Sequence, residues 1–377
     1  MTSSTSDDRT TTTPEVAGAG GPPSTGRRFA APRSTLLRHA LLMLLAFAGI
    51  ALLLETVSPF RASQLASLAY FVPAVAGLTV LTGINGQISL GHGALMAVGA
   101  YTTAVALERA EGMPYPLVLL VAVLVTAVVG ILVGAAASRL HGPYLAGATL
   151  ALAVGLPGLA LYFEEALGGE QGLRVSPPQP SETVEQIAFF ITGNDLSSSK
   201  YLGYLGWACA LVVLLLLSNL VRSRFGRTWR AVRDDEVAAE LAGIDLGRTR
   251  VLAFAVSAAC AGVGGSLLAI ITRLAAPTSF TLVLSISLLV AIVIGGLGSL
   301  LGAVLGSVLL VFLAPAVTNL GRDNGLSDAQ AANVAPLVYG IVLIVVMLAA
   351  PQGVVGSIRM RWLARRASRQ AAAQAAR

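Results

Sequence analysis

Long apolar runs alternate with short polar ones along most of the chain. Ten runs approach the ~20 residues a helix needs to cross a bilayer. They cover 40–57, 65–82, 90–107, 116–137, 145–163, 202–221, 251–272, 282–297, 300–315 and 334–350. The eighth and ninth are short and meet at GGLGS (Gly295–Ser299), so they read as half-helices or a re-entrant pair, or as two spans. Eight full spans is the alternative count. The predicted fold class is all-α, a polytopic helical membrane protein with about 8–10 transmembrane helices, some short or broken.

One polar interruption differs from the others. Phe225 to Gly243 reads FGRTWRAVRDDEVAAELAG, with Arg227, Arg230, Arg233, Asp234, Asp235, Glu236 and Glu240 crowded together. As a single helix it places Trp229, Val232, Val237 and Leu241 on one side and charge on the others. Gly243 reads as its stop. Each charge would cost several kcal/mol in hydrocarbon, so this helix must lie on the membrane surface. An ordinary basic loop needs arginines but not three successive acids. The pattern points to a helix gripped by a soluble partner.

Three further stretches stand out. Leu81–Tyr101 (LTGINGQISLGHGALMAVGAY) interleaves Asn85, Gln87, Ser89 and His92 with five glycines. Broken helices of this kind present polar groups to a transported substrate. The plainer alternative is close glycine packing, with Gln87 and His92 satisfied by neighbouring helices. Arg139–Leu152 reads as a Gly-Pro turn and then a helix carrying one polar point, Thr149. In Ala291–Gly306, glycines at 298, 302 and 306 form a small-xxx-small stripe suited to tight helix contact.

Composition supports the membrane reading. The chain is 55% hydrophobic and 12% charged, against about 25% charged in a soluble domain. The net charge of +6 comes from loops and tails, so it reads as topology signal and not as nucleic-acid binding. Arginines before the first run, at Arg139, across 222–250 and in the last residues put both termini in the cytoplasm. The acidic loop 164–200 then falls outside. The expected organisation is a disordered cytoplasmic tail at 1–36, a transmembrane domain at 37–357 and a basic cytoplasmic tail at 358–377. The first run is expected to be kept as a span, because no small-residue cleavage site follows Leu54. Cys209 and Cys260 sit inside apolar runs and suggest neither a disulfide framework nor a metal site.

No energy source of its own is visible in the chain. Lys200, its single lysine, is flanked by Ser199 and Tyr201, so no Walker motif exists. Glu55, Glu108 and Glu164 fall at predicted span ends, and a proton-coupled carrier usually needs acids deeper in. A soluble partner that supplies energy fits better than a self-sufficient secondary carrier. A membrane enzyme fits less well, since no nucleophile–base pair is visible.

Four stretches together resemble the permease subunits of bacterial ABC importers of the branched-chain amino acid type. They are GQISLGHGALMAVGAYTTA (from Gly86), RLHGPYLAGATLA (from Arg139), GRTWRAVRDDEVAAELAGIDLGRTRVLAFAVSAACAGVGGSLLA (from Gly226) and IGGLGSLLGAVLGSVLL (from Ile294). The resemblance implies that Glu236, Ala238, Ala239 and Gly243, flanked by Arg227, Arg233 and Asp235, form the loop at 222–250 that docks on the ATPase. It implies as partners ABC ATPase subunits, a second permease subunit and an extracytoplasmic substrate-binding protein, in the bacterial cytoplasmic membrane. No cofactor is called for. Gln87, Ser89, His92 and Thr149 are the candidates for lining the pathway. Importers of urea or short amides share much of this pattern, so the substrate stays open between the two classes.

Overall fold

The apolar runs become helices because a bilayer offers no water to unpaired backbone groups. The computed structural model describes residues 35–110, 112–140, 143–192, 196–349 and 353–357. Most of the tail expected at 1–36 and all of that at 358–377 lie outside the described residues; the first helix begins at Thr35.

The helices are α1 (Thr35–Thr56), α2 (Pro59–Leu78), α3 (His92–Arg109), α4 (Tyr115–Ala137), α5 (Pro143–Tyr162), α6 (Glu164–Leu167) and α7 (Glu182–Thr192). They continue as α8 (Ser198–Arg222), α9 (Arg224–Asp234), α10 (Glu236–Leu241), α11 (Leu246–Thr272), α12 (Leu282–Gly295), α13 (Leu300–Asp323) and α14 (Asp328–Ala349). A π-helical turn, Thr79–Ile84, extends α2. Two short strands, β1 (Leu173–Arg174) and β2 (Leu274–Ala275), pair antiparallel. Among the described residues, eight helical segments are long and apolar enough to cross a membrane.

The centre of the bundle is the antiparallel pair α2 and α11. Each is 78% buried over its apolar window, against 11% for α1. Small residues let the backbones close up, as membrane helices require in the absence of a hydrophobic drive between them. Gly264 of α11 lies against Ala74 of α2, and Gly77 of α2 against Cys260. The α3 helix crosses α11 so closely that a Cβ on Gly265 would stand 1.9 Å from the Met96 carbonyl oxygen. On another side, Gly130 and Gly134 of α4 face Ala258 and Phe254.

Both central helices are followed by an interruption. After α2, residues 85–91 leave helical geometry, and α3 starts inside the bundle, where His92 Nε2 meets the Ala74 carbonyl at 2.9 Å. After α11, residues 273–281 pass through β2 and a short 3-10 turn, and Phe280 packs beside Tyr101. The α12 helix then starts beside α3, with Ser285 Oγ accepting from the Gly93 amide at 3.0 Å. The series α2–α5 and α11–α14 therefore run through the bundle in opposite directions, an inverted repeat of the transporter kind.

Of the readings left open for 282–315, the structure fits two spans and not a half-helix pair. Only α12, at 14 residues, is short. The α13 helix has 24 residues and continues past Pro315 to Asp323. The two form an antiparallel hairpin, with Gly302 on Gly295 and Gly306 on Ala291. The small-xxx-small stripe is thus half right: Gly302 and Gly306 make the contact, and Gly298 belongs to the turn.

The peripheral helix α1 is clasped to α8 at both ends. Lys200 Nζ lies 2.5 Å from Glu55 Oε2, and the Tyr204 hydroxyl donates to Glu55 Oε1. At the other end, His39 Nδ1 and Asn219 Oδ1 are 3.0 Å apart. Lys200→Met leaves the carboxylate without its cation and is expected to cost about 1–3 kcal/mol. A lower melting temperature in detergent, partly restored by adding Glu55→Gln, checks this.

Candidate functional site at the basic end of the bundle

The end of α2, the end of α4, the start of α11 and the α12–α13 turn meet at one end of the bundle. Residues 222–250 lie across it. The charged stretch is not one helix, as its pattern suggested, but two. The α9 helix is opened by Ser223, whose Oγ accepts from the Phe225 amide at 3.2 Å. It is pinned to the bundle through buried Trp229 and Val232, each 1% exposed. The Trp229 indole donates to the Thr249 carbonyl at 3.2 Å.

The chain breaks at Asp235, whose backbone is extended (φ −158°, ψ 108°). Its carboxylate caps α10 by accepting from the Ala238 amide at 3.0 Å. An aspartate at an N-cap satisfies an amide that helix geometry leaves free. Gly243 then ends α10 with φ +84°, a left-handed conformation that costs a residue with a Cβ about 1–2 kcal/mol. The break rotates α10 relative to α9. Val237 and Leu241 therefore leave the Trp229 face and stand 68% and 85% exposed. Ala238, Glu240 and Arg227 are also exposed, whereas Ala239 is buried against the bundle.

Two arginines tie these helices to the interrupted segment. Arg233 at the end of α9 donates through Nη1 to the Gly83 carbonyl. Its side chain lies over Gly86, and Gly298 of the α12–α13 turn lies alongside. Arg250 in the first turns of α11 is only 5% exposed. Its Nη2 is 2.6 Å from Glu236 Oε1 on α10, and its Nη1 donates to the Ser138 carbonyl at the end of α4 at 3.3 Å. Its own carbonyl accepts from Gln87 Nε2 at 3.4 Å.

Gln87, Ser89, His92 and Thr149 come together, but all are buried in this conformation, at 5%, 1%, 0% and 1% exposure. Thr149 Oγ1 accepts from the Leu90 amide at 3.0 Å, so α5 holds the interrupted segment from one side. Gln87 Nε2 also donates to Asn85 Oδ1. Asn85 Nδ2, Gln87 Oε1 and His92 Nδ1 are buried with no partner among the described residues. Each such atom costs about 1–3 kcal/mol; the Tyr101 hydroxyl on α3 and Ser257 Oγ on α11 are buried without partners as well. No group of three His, Cys, Asp or Glu side chains suited to a metal ion occurs among the described residues.

With this geometry in view, comparison with known proteins is decisive. Residues 61–349 match the family described as branched-chain amino acid transport system, permease component. The chain belongs to this permease family. The match begins in α2 and ends with α14, so it takes in both inverted halves and the basic end between them. Among relatives, the permease is 32% identical over 299 residues to the high-affinity branched-chain amino acid transport system permease protein LivM of Escherichia coli (strain K12). That alignment covers 75% of this chain and 67% of LivM. It is 34% identical over 297 residues to LivM of Salmonella typhimurium, with the same coverage. It is 26% identical over 296 residues to BraD of Pseudomonas aeruginosa, covering 74% of this chain and 89% of BraD. No solved structure matches the permease.

Arg250 is the residue at this end that the pattern did not single out. In sequence it reads as one more arginine of a basic loop. A signal was present: a cation in the first turns of an apolar helix sits at the dipole's unfavourable end, so it needs an acid nearby. Which acid was decided by the break at Asp235.

Proposed function

We propose that this permease is one membrane subunit of an ATP-driven ABC importer for branched-chain amino acids. Two permeases, identical or paralogous, pair in the bacterial cytoplasmic membrane. The basic end faces the cytoplasm, as the arginine bias favours, and both termini lie on that side. Two ATPase subunits grip α9 and α10. A substrate-binding protein delivers its cargo at the opposite end.

The observation that carries this reading is α10. A six-residue helix anchored by Ala239, the Glu236–Arg250 pair and the Trp229-bearing α9 presents Val237 and Leu241 outward, ringed by charge. Apolar knobs in a charged surround, off the membrane core, suit insertion into a cleft on a soluble protein. By alternating access, ATP binding closes the ATPase pair and moves α9 and α10. The two inverted halves then rock about the pathway. Gln87, Ser89, His92 and Thr149 reach the pathway as the interrupted segment shifts. The chain's own contribution is positional, with no bond made or broken.

Co-purification tests the reading. Tagged protein drawn from its native membrane is expected to bring down an ATPase subunit. Buried apolar anchors are worth about 2 kcal/mol or more each, so Val237→Asp with Leu241→Asp is expected to cut that recovery at least tenfold. If the unsubstituted chain instead comes down alone, yet carries labelled leucine into proteoliposomes without ATP, it is a secondary carrier.

A further inference from the structure

Between α10 and the interior runs a chain of contacts that passes through one residue, Arg250. We propose that Arg250 is the positioning residue that carries movement of α10 to the interrupted segment between α2 and α3. This rests on the ABC reading above, and it names the route by which the ATPase acts on the pathway.

Three observations support it. First, Arg250 meets three separate elements. Its guanidinium holds Glu236 of α10 at 2.6 Å and the Ser138 carbonyl of α4 at 3.3 Å, and its carbonyl receives Gln87 at 3.4 Å. Glu236 is half exposed (49%) whereas Arg250 is buried, so the pair bridges the partner-facing surface and the interior. A displacement of α10 must stretch this pair, carry Arg250 along, or do both. A buried guanidinium released from its acid is strongly penalised, so the pair is expected to travel together.

Second, the segment at the far end is irregular and carries unsatisfied polar groups. Asn85 Nδ2 and Gln87 Oε1 are buried without partners, and the segment is neither helix nor strand. A stretch with unsatisfied groups in one arrangement can satisfy them in another. Coupling of distant sites needs such a two-state element. The helices beside it are closed by backbone contacts such as Gly99 on Gly262.

Third, the alternative routes are weaker. Arg233 reaches the π-helical turn just before that segment, at Gly83, but starts from α9, which Trp229 fixes to α11. The α10 helix bears the exposed knobs, and among the described residues its ion pair to the bundle is Glu236–Arg250.

The test uses the full complex of permeases, ATPase subunits and binding protein, reconstituted in proteoliposomes. Uptake of labelled leucine and ATP hydrolysis are measured together. In complexes matched for ATPase content, Arg250→Gln is expected to lower the leucine carried per ATP hydrolysed about fivefold or more, the usual lower bound of a coupling effect. Arg250→Lys keeps the cation and is expected to recover most of that ratio. In a double-mutant cycle, Glu236→Gln added to Arg250→Gln is expected to lower the ratio no further. The inference fails if uptake and hydrolysis fall in proportion, as for a merely destabilised protein, or if Arg250→Gln leaves the ratio unchanged. A complex in which the unsubstituted permease binds no ATPase sinks the ABC reading itself, which separates the two failures.

Discussion

Gly265→Leu is expected to leave almost no folded protein in the membrane. The α3 and α11 backbones meet at Gly265, where a Cβ would stand 1.9 Å from the Met96 carbonyl oxygen and 3.0 Å from the Ala100 amide nitrogen. Both obstacles are backbone, so no rotamer change relieves them. The helices must separate, and the neighbouring contact of Gly99 with Gly262 opens with them. Overpacking usually costs about 1–3 kcal/mol. Here loss of the whole crossing is expected to exceed about 4 kcal/mol, a large part of the 5–15 kcal/mol that holds a typical protein together. Gly49→Leu is the control. Gly49 lies on exposed α1 with no atom within 4 Å of its virtual Cβ, and the same change there is expected to be tolerated. Recovery as a single species after detergent extraction compares the two. Equal recovery would mean the crossing is not a close one.

Gly83→Val is expected to lower transport at least about tenfold without unfolding the bundle, the loss that 1.4 kcal/mol of misplacement produces. Its Cβ would stand 2.3 Å from the Gly298 amide nitrogen and 3.0 Å from Gly298 Cα. The substitution therefore wedges the end of α2 away from the α12–α13 turn, where the two inverted halves touch. It also moves the carbonyl that Arg233 holds. The site lies at the rim of the bundle, so central contacts such as Gly264 with Ala74 remain. Leucine uptake in cells, set beside the amount and melting temperature of the purified protein, checks the result. Normal uptake would show that this joint does not move in transport.

Much of this molecule is legible in its sequence, for a specific reason. Crossing a bilayer is decided by transfer free energy, which accumulates along the chain, so an apolar run reports a span without any knowledge of its neighbours. The mixed-charge stretch announced a surface helix in the same way, and Gly243 announced its end. The break at Asp235 was present as a good N-cap residue but hidden by the helical period running through it. Averaged over seventeen residues, the period placed Val237 with Trp229. The extended backbone at one residue puts them on different sides.

What the sequence determined by itself is the class of molecule, the approximate positions of its spans, the end that carries the arginines and the family to which it belongs. These follow from local quantities: hydropathy, charge and motif. Tertiary structure alone decided that α13 runs the full depth, that Gly265 meets Met96, and that Arg250 joins Glu236 to Gln87. Gln87 and Arg250, for example, are 163 positions apart. In a membrane they arise from the packing of small residues across helix faces and not from hydrophobicity, which is nearly uniform along every span. A one-dimensional pattern of apolar and polar positions has no term for that packing, so the pairs appear only once the helices are set side by side.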